Sequence, residues 1–279
     1  MDFRKLAVFT YIAAVLILFF PLCGNAGAFT QLKAKSAILM NMSDGAILYA
    51  QNADRRIQPA SITKVLSLYL VHEAVVQDRV RMDDLVKVSR KAWRTGGSRM
   101  YIREGWKVPL EDLVKGMAIV SGNDACVAVA EHFGGVDLFV REMNRKAREI
   151  GMTSSHFVNP NGLPAKGQFT TARDVLTLSR AYLTRFPESL SIHSMRYFTY
   201  GHITQRNHNR LLQKCDDVDG LKTGYVRAAG YHIVATAKRG ETRLIAVVMG
   251  SRNPHIRTVE TRRLLEEGFR TVGTTKMAA

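Results

Sequence analysis

Residues 59–75 read PASITKVLSLYLVHEAV, and this stretch decides how the rest of the chain is read. Pro59 suits the start of a helix, and the residues after Lys64 are apolar on most faces, the pattern of a helix buried on all sides. Residues three apart share one helix face, so Lys64 reaches back one turn to the Ser61 hydroxyl. A serine hydroxyl is a poor nucleophile until a neighbour takes its proton. A lysine does so only where burial and a second cation depress its pKa. The stretch therefore predicts a core helix that carries a nucleophile and a base at one end. Taken alone, Ser-x-x-Lys also fits a capping serine followed by a solvated lysine, although Ser61 is the only serine here with a lysine three residues on.

Two further motifs follow in order. Leu110 to Val120 reads as helix, Ser121-Gly122-Asn123 interrupts, and Asp124 to Glu131 reads as the next helix, so polar side chains arrive at a helix junction. Ser, Gly and Asn suit any helix connection and Asp124 is an ordinary cap; a second Ser-x-Asn at Ser251 to Asn253 shows how cheap the motif is. The third motif, Lys222-Thr223-Gly224, occurs once, in Asp219 to Val226, and the segments Tyr231 to Ala237 and Thr242 to Met249 follow it across short turns. These read as successive antiparallel strands. A strand glycine such as Gly224 often marks close approach of another backbone or a ligand. Lys222 reads either as part of a site or as an edge-strand lysine that deters aggregation.

Working outward, Ala37 to Gln51 with Ser43-Asp44-Gly45 at its centre predicts a hairpin. That hairpin, the strands from Leu221 to Met249 and a final helix from about Pro254 to Val272 are expected to form one antiparallel sheet with a helix packed on it. The helical middle, including Thr171 to Leu183, forms a second lobe. The class is α+β, with a site at the junction of the lobes, where clefts commonly lie.

The three motifs in this order, with Ala37 to Tyr49, Met117 to Ala125, Phe157 to Leu163 and Asp219 to Gly224, resemble the low-molecular-mass penicillin-binding proteins that act as D-alanyl-D-alanine carboxypeptidases. The resemblance runs from roughly Ala34 to Phe269. It implies a β-lactamase/transpeptidase-like fold and a serine peptidase acting on peptidoglycan stem peptides, with β-lactams as covalent inhibitors and no cofactor or metal. Carried over by position, Ser61 attacks the penultimate D-Ala carbonyl and neutral Lys64 is the base. Ser121 relays a proton to the leaving amine, Asn123 holds Lys64 and the substrate amide, Lys222 assists electrostatically, and Thr223 faces the terminal carboxylate. The oxyanion hole is expected from the backbone N–H groups of Ser61 and Tyr225, beside Gly224. Two positions depart from the family: Val226 stands where many members have Thr, and His208 aligns where some have Arg.

Neighbouring classes separate by residue content. Class A β-lactamases add a glutamate that activates the deacylating water, and residues 151–187 contain no Glu, so slow deacylation of bound penicillin is expected. A D,D-endopeptidase cutting cross-links uses the same residues and stays open; a penicillin-binding sensor or wall-binding module without turnover is the alternative from another class. The formal charge of +16 invites a nucleic-acid reading. Its lysines and arginines are dispersed, however, and no zinc spacing or basic heptad accompanies them, so an anionic wall polymer or membrane surface fits better. His202 and His208 have no acidic partner at ligand spacing and read as solvated loop histidines. Cys126 reads as a small core residue, and whether it meets Cys215 is left open.

A short basic start at Arg4 and Lys5, an apolar run from Leu6 to Leu22 and Ala26-Gly27-Ala28 predict a secretory signal over residues 1–28. An uncleaved membrane anchor is the alternative. The expected mature domain is 29–279, with no C-terminal β-domain, working in the periplasm or cell wall.

Overall fold

The computed structural model describes residues 29–278, so the signal segment expected over residues 1–28 lies outside the described residues. Strands β1 (Ser36–Asn41) and β2 (Ile47–Gln51) make the predicted hairpin, from Ala37 against Gln51 to Met40 against Ile47. Its turn uses the chemistry that marks it in the sequence: the Asp44 carboxylate accepts the Asn41 amide and the Ala46 N–H, and Gly45 takes φ +79°. A single 3-10 turn, Ala60–Ile62, then leads into α1 (Thr63–Val76), buried at every position from Thr63 to Ala74. The all-round apolar pattern after Lys64 is therefore that of a central helix.

The middle of the chain wraps this helix. A small ladder of β3 (Leu85–Lys87) and β4 (Lys107–Pro109) precedes α2 (Leu110–Ile119), α3 (Asn123–His132), α4 (Val136–Glu149) and α5 (Ala172–Arg185). A hairpin of β5 (Tyr197–Tyr200) and β6 (Ile203–Arg206) follows. The chain then returns to the sheet with β7 (Val218–Val226), β8 (Gly230–Arg239) and β9 (Thr242–Ser251), and ends in α6 (Pro254–Ala278).

The main sheet has the order β2-β1-β9-β8-β7 and is antiparallel throughout. The first and last strands of the described residues meet at its centre, where β1 pairs with β9 from Ser36 against Met249 to Asn41 against Leu244. Helix α6 lies close on this sheet. A Cβ at Gly268 would sit 2.6 Å from Leu39 and 2.9 Å from Leu244, so glycine there allows the close approach. The sheet and the helices share one continuous core, in which Ile38 and Val247 join the same cluster as Leu66 and Leu113. The predicted lobes are thus two sides of one unit rather than separable domains. This packing leaves β7 at a sheet edge, beside the turn that precedes α1.

Candidate active site

Ser61 sits in the 3-10 turn rather than in the α-helix itself, which starts at Thr63. Two distant glycines hold that turn. Ala60 has φ +49°, and Gly162, at φ +83°, packs so tightly on it that a Cβ would fall 1.8 Å from the Ala60 carbonyl oxygen. From the other side, a Cβ at Gly224 of β7 would stand 3.1 Å from both the Ala60 Cβ and the Ser61 nitrogen. The close approach that a strand glycine implies is made here by the backbone bearing the candidate nucleophile. Left-handed backbone at a non-glycine residue persists only where its surroundings over-determine it.

One turn on, the Lys64 side chain is fully buried. Its Nζ donates to Asn123 Oδ1 at 2.7 Å and to the Asn161 carbonyl at 2.8 Å, and lies 3.0 Å from Ser61 Oγ. The two carbonyl oxygens can only accept. In the neutral amine they take both hydrogens, which leaves the lone pair facing the Ser61 hydroxyl. Loss of solvation lowers the Lys64 pKa to about 8, while Cys126 and Asp124 act in the opposite direction. Asn123 is itself held: its Nδ2 donates to the Gly96 carbonyl at 2.7 Å and its backbone N–H to the Ser98 carbonyl at 2.7 Å. Gly97, at φ +82°, has no room for a Cβ beside that amide.

The helix break falls where the sequence puts it, between α2 and α3. Ser121 occupies it with φ +61°, and its buried hydroxyl has no hydrogen-bond partner among the described residues. Asp124 is not the cap that the sequence suggests: α3 starts at Asn123 after Gly122 with no side-chain cap, and Asp124 lies in its first turn. Its carboxylate accepts the N–H groups of Ala125, Met100 and Tyr101, at 2.9–3.0 Å, and so ties the 98–101 segment to the break. The other Ser-x-Asn match has an ordinary explanation, because Asn253 Oδ1 accepts the Ile256 N–H at the start of α6.

On β7, Lys222 is only 1% exposed, which removes the reading of a solvated edge lysine. Its Nζ donates to the Thr223 carbonyl at 3.1 Å. Burial lowers its pKa well below the usual lysine value, and the charges of Lys64 and Arg257 lower it further. Desolvation is the leading cause of the depression at both lysines. Thr223 is buried at the cleft wall, and Tyr225, half exposed, stacks on Tyr231 with ring centroids 4.3 Å apart.

Ser61, Ser121, Asn123, Thr223, Gly224 and Tyr225 all line one cleft of about 790 Å³. Among the described residues, no carboxylate lines it, whereas Arg206, Arg210 and Arg257 do. Arg257 was not singled out in the sequence. It arrives from α6, is 5% exposed, and has an Nε without a partner among the described residues; Nη2 donates to the His208 carbonyl at 3.4 Å. Asn161, known from the sequence only as part of a resembling stretch, contributes through its backbone carbonyl, which no side-chain pattern reveals.

The two departures also face the cleft. Val226 lines it, and the His208 ring is lowered in pKa by partial desolvation and by the charges of Lys222, Arg257 and Lys64. His202 is exposed on the β5-β6 turn. The carboxylate nearest in sequence to the place of the missing glutamate, Asp174, is occupied in holding Ser154 N and Ser155 Oγ. Cys126 and Cys215 are both free thiols. Among the described residues, no group of three or more His, Cys, Asp or Glu converges to hold a metal.

Comparison with known proteins gives a consistent result. The profile of the D-alanyl-D-alanine carboxypeptidase family matches residues 24–253. The chain is similar to the D-alanyl-D-alanine carboxypeptidase DacC of Escherichia coli, 42% identical over 85% of this chain; it spans 61% of the length of that relative. The crystal structure of penicillin binding protein 6B from Escherichia coli superposes with a TM-score of 0.84 at 40% identity, covering 88% of this chain and 80% of that one. Penicillin-binding protein D2 from Listeria monocytogenes, in its ampicillin-bound form, gives a TM-score of 0.80 at 31% identity and covers 87% of this chain and 99% of that one. The fold is therefore the α+β fold of these enzymes, as the sequence led us to expect.

Proposed function

We infer the activity from one premise: this chain belongs to the D-alanyl-D-alanine carboxypeptidase family. It is a serine D,D-carboxypeptidase that removes the terminal D-Ala from peptidoglycan stem pentapeptides. The observation that carries this reading is the buried Lys64 amine, with both hydrogens committed to carbonyl oxygens and its remaining position turned to Ser61 Oγ at 3.0 Å. When protonated, an amine so placed finds three acceptors, Ser61 Oγ among them; when neutral, it keeps its lone pair for the Ser61 proton.

In this reading Ser61 Oγ attacks the penultimate D-Ala carbonyl as Lys64 Nζ takes its proton. The resulting oxyanion is met by the backbone N–H groups of Ser61 and Tyr225. Ser121, whose hydroxyl is uncommitted, passes the proton to the departing amine, and Lys222 favours that transfer through its nearby positive potential. The C–N bond breaks, D-alanine leaves, and water hydrolyses the ester on Ser61 with Lys64 again as base. Thr223 and Arg257 receive the terminal carboxylate. Arg257 takes up what Val226 does not offer, a fixed donor on the carboxylate side of the cleft.

The same serine opens β-lactams, a reading supported by the ampicillin-bound relative. With no carboxylate lining the cleft to activate a second water, the acyl-enzyme from a penicillin persists. Such a substrate lies outside the cytoplasmic membrane, which agrees with an export signal over residues 1–28 and action in the periplasm or cell wall. The direct test is release of D-alanine from a stem pentapeptide by the wild-type protein but not by Ser61→Ala. Absence of release by a wild-type protein that a penicillin acylates excludes the carboxypeptidase and leaves a D,D-endopeptidase, which cross-linked dimeric muropeptide as substrate would reveal, or a sensor.

A further inference from the structure

Beside the cleft lies a second depression, of about 430 Å³, whose walls carry Arg99, Tyr101, Arg103, Trp106, Tyr200 and His202. Its composition sets it apart. Trp106 and Tyr101 are 44% and 49% exposed, although aromatic rings of this size are ordinarily kept from water. The Trp106 and Tyr200 rings stand 6.4 Å apart at 53°, forming two sides of a shallow corner. Arg103 lies over the Trp106 ring at 5.5 Å and Arg99 over the Tyr101 ring at 5.9 Å, so each ring is presented beside a guanidinium.

The presentation is held in place. Tyr101 has φ +70°, in a region an aromatic residue rarely adopts, and its N–H is fixed by the buried Asp124 carboxylate. Gln205 Nε2 donates to the Arg99 carbonyl at 3.2 Å and joins the β5-β6 hairpin to the 98–103 loop. These same two segments build the catalytic cleft, with Gly97 and Ser98 from one and Gln205 and Arg206 from the other. Neighbouring residues, Ser98 and Arg99, thus face one depression each. Consecutive Cα atoms are about 3.8 Å apart, so the two depressions meet along this boundary.

We propose that this aromatic depression is a glycan subsite, holding an N-acetylated sugar of the strand whose stem peptide reaches into the cleft. The inference rests on the carboxypeptidase reading and adds to it what part of the substrate is recognised away from the reacting bond. The C–H face of a pyranose is apolar and weakly positive, and suits the electron-rich face of an indole or phenol. The guanidinium group of Arg103 matches the carboxylate groups that such a strand and its peptides carry, whereas that of Arg99 is held by the Trp93 carbonyl and the Asp124 carboxylate. Binding energy gathered on the sugar helps to hold the peptide end against Ser61.

The test compares a bare stem pentapeptide with the same peptide on its N-acetylated disaccharide, using wild type, Trp106→Ala and Trp106→Phe. The expected result is that Trp106→Ala raises KM for the disaccharide substrate about tenfold, as loss of a buried aromatic anchor does. It leaves KM for the bare peptide and the rate of acylation by a fluorescent penicillin unchanged, and Trp106→Phe restores most of the loss. A second readout needs no turnover: a β-1,4-linked dimer of N-acetylglucosamine changes the fluorescence of the wild-type protein and of Trp106→Phe, in which Trp93 of the same depression reports, and not that of Trp106→Ala. Equal effects of Trp106→Ala on both substrates, or no effect on either, overturn the subsite while leaving the reaction in place. Failure of the wild type to cleave either substrate overturns the reaction and the subsite with it.

Discussion

Raising the pH from 6 to 9 should increase the acylation rate of Ser61 by nearly two orders of magnitude. The reasoning starts from Lys64, whose pKa falls to about 8 because its buried amine has lost its solvation. Only the neutral amine can accept the Ser61 proton. A base with that pKa is neutral in roughly 1% of molecules at pH 6, about 9% at pH 7, half at pH 8 and about 91% at pH 9. The rate constant for acylation, measured by stopped-flow with a reporter penicillin, follows this fraction, since kcat/KM and its single-turnover equivalent report the free enzyme. The curve rises about tenfold per pH unit on its acid side and levels above pH 8. A flat profile, or one still rising tenfold per unit at pH 10, refutes the geometry-based assignment. An inflection near pH 6.5 would transfer the role to a histidine, and none contacts Ser61 Oγ among the described residues.

The same lysine affects stability. Unfolded Lys64 keeps its proton up to about pH 10.5 and folded Lys64 only to about 8. Burying the charge therefore costs up to about 3 kcal/mol below pH 8, and this cost disappears as the pH rises to 10.5. The unfolding free energy of wild type, measured by urea titration against Lys64→Met, should gain on the variant across that window and be parallel below it. Gly162→Ala should destabilise by about 3 kcal/mol or more, because its Cβ meets the Ala60 carbonyl at 1.8 Å on a left-handed backbone; a melting temperature within a degree of wild type would contradict this. Arg257→Ala should raise KM about tenfold or more for a pentapeptide with a free C-terminal carboxylate. A peptide ending in a carboxamide should not distinguish the variant from wild type, and equal losses on both would remove Arg257 from carboxylate binding.

Much of the architecture was legible because its signals are local. The Asp44-Gly45 turn, the apolar faces of α1 and the strands following Lys222 are each specified by residues adjacent in sequence, and each appears where expected. Ser61 and Lys64 were legible for the same reason, being three residues apart. What escaped depends on residues that meet only after folding. The two-residue turn Gly201-His202 and the short strands around it carry too few alternating positions to stand out from loop. Arg257 is one arginine among many along α6, and only the register of α6 on the sheet brings it to the cleft. Gly162 stands in the sequence only as part of the stretch Phe157 to Leu163, and its close approach to the Ala60 carbonyl exists only in the folded chain.

The central claim is that Ser61, with Lys64 as its base, forms the covalent bond. Intact-mass and peptide-level mass spectrometry of the protein after exposure to a fluorescent penicillin tests it most directly. The account predicts one adduct per chain, located on Ser61, abolished in Ser61→Ala and formed at least a hundredfold more slowly in Lys64→Ala. An adduct on any other residue, or equal labelling of Ser61→Ala, would contradict it.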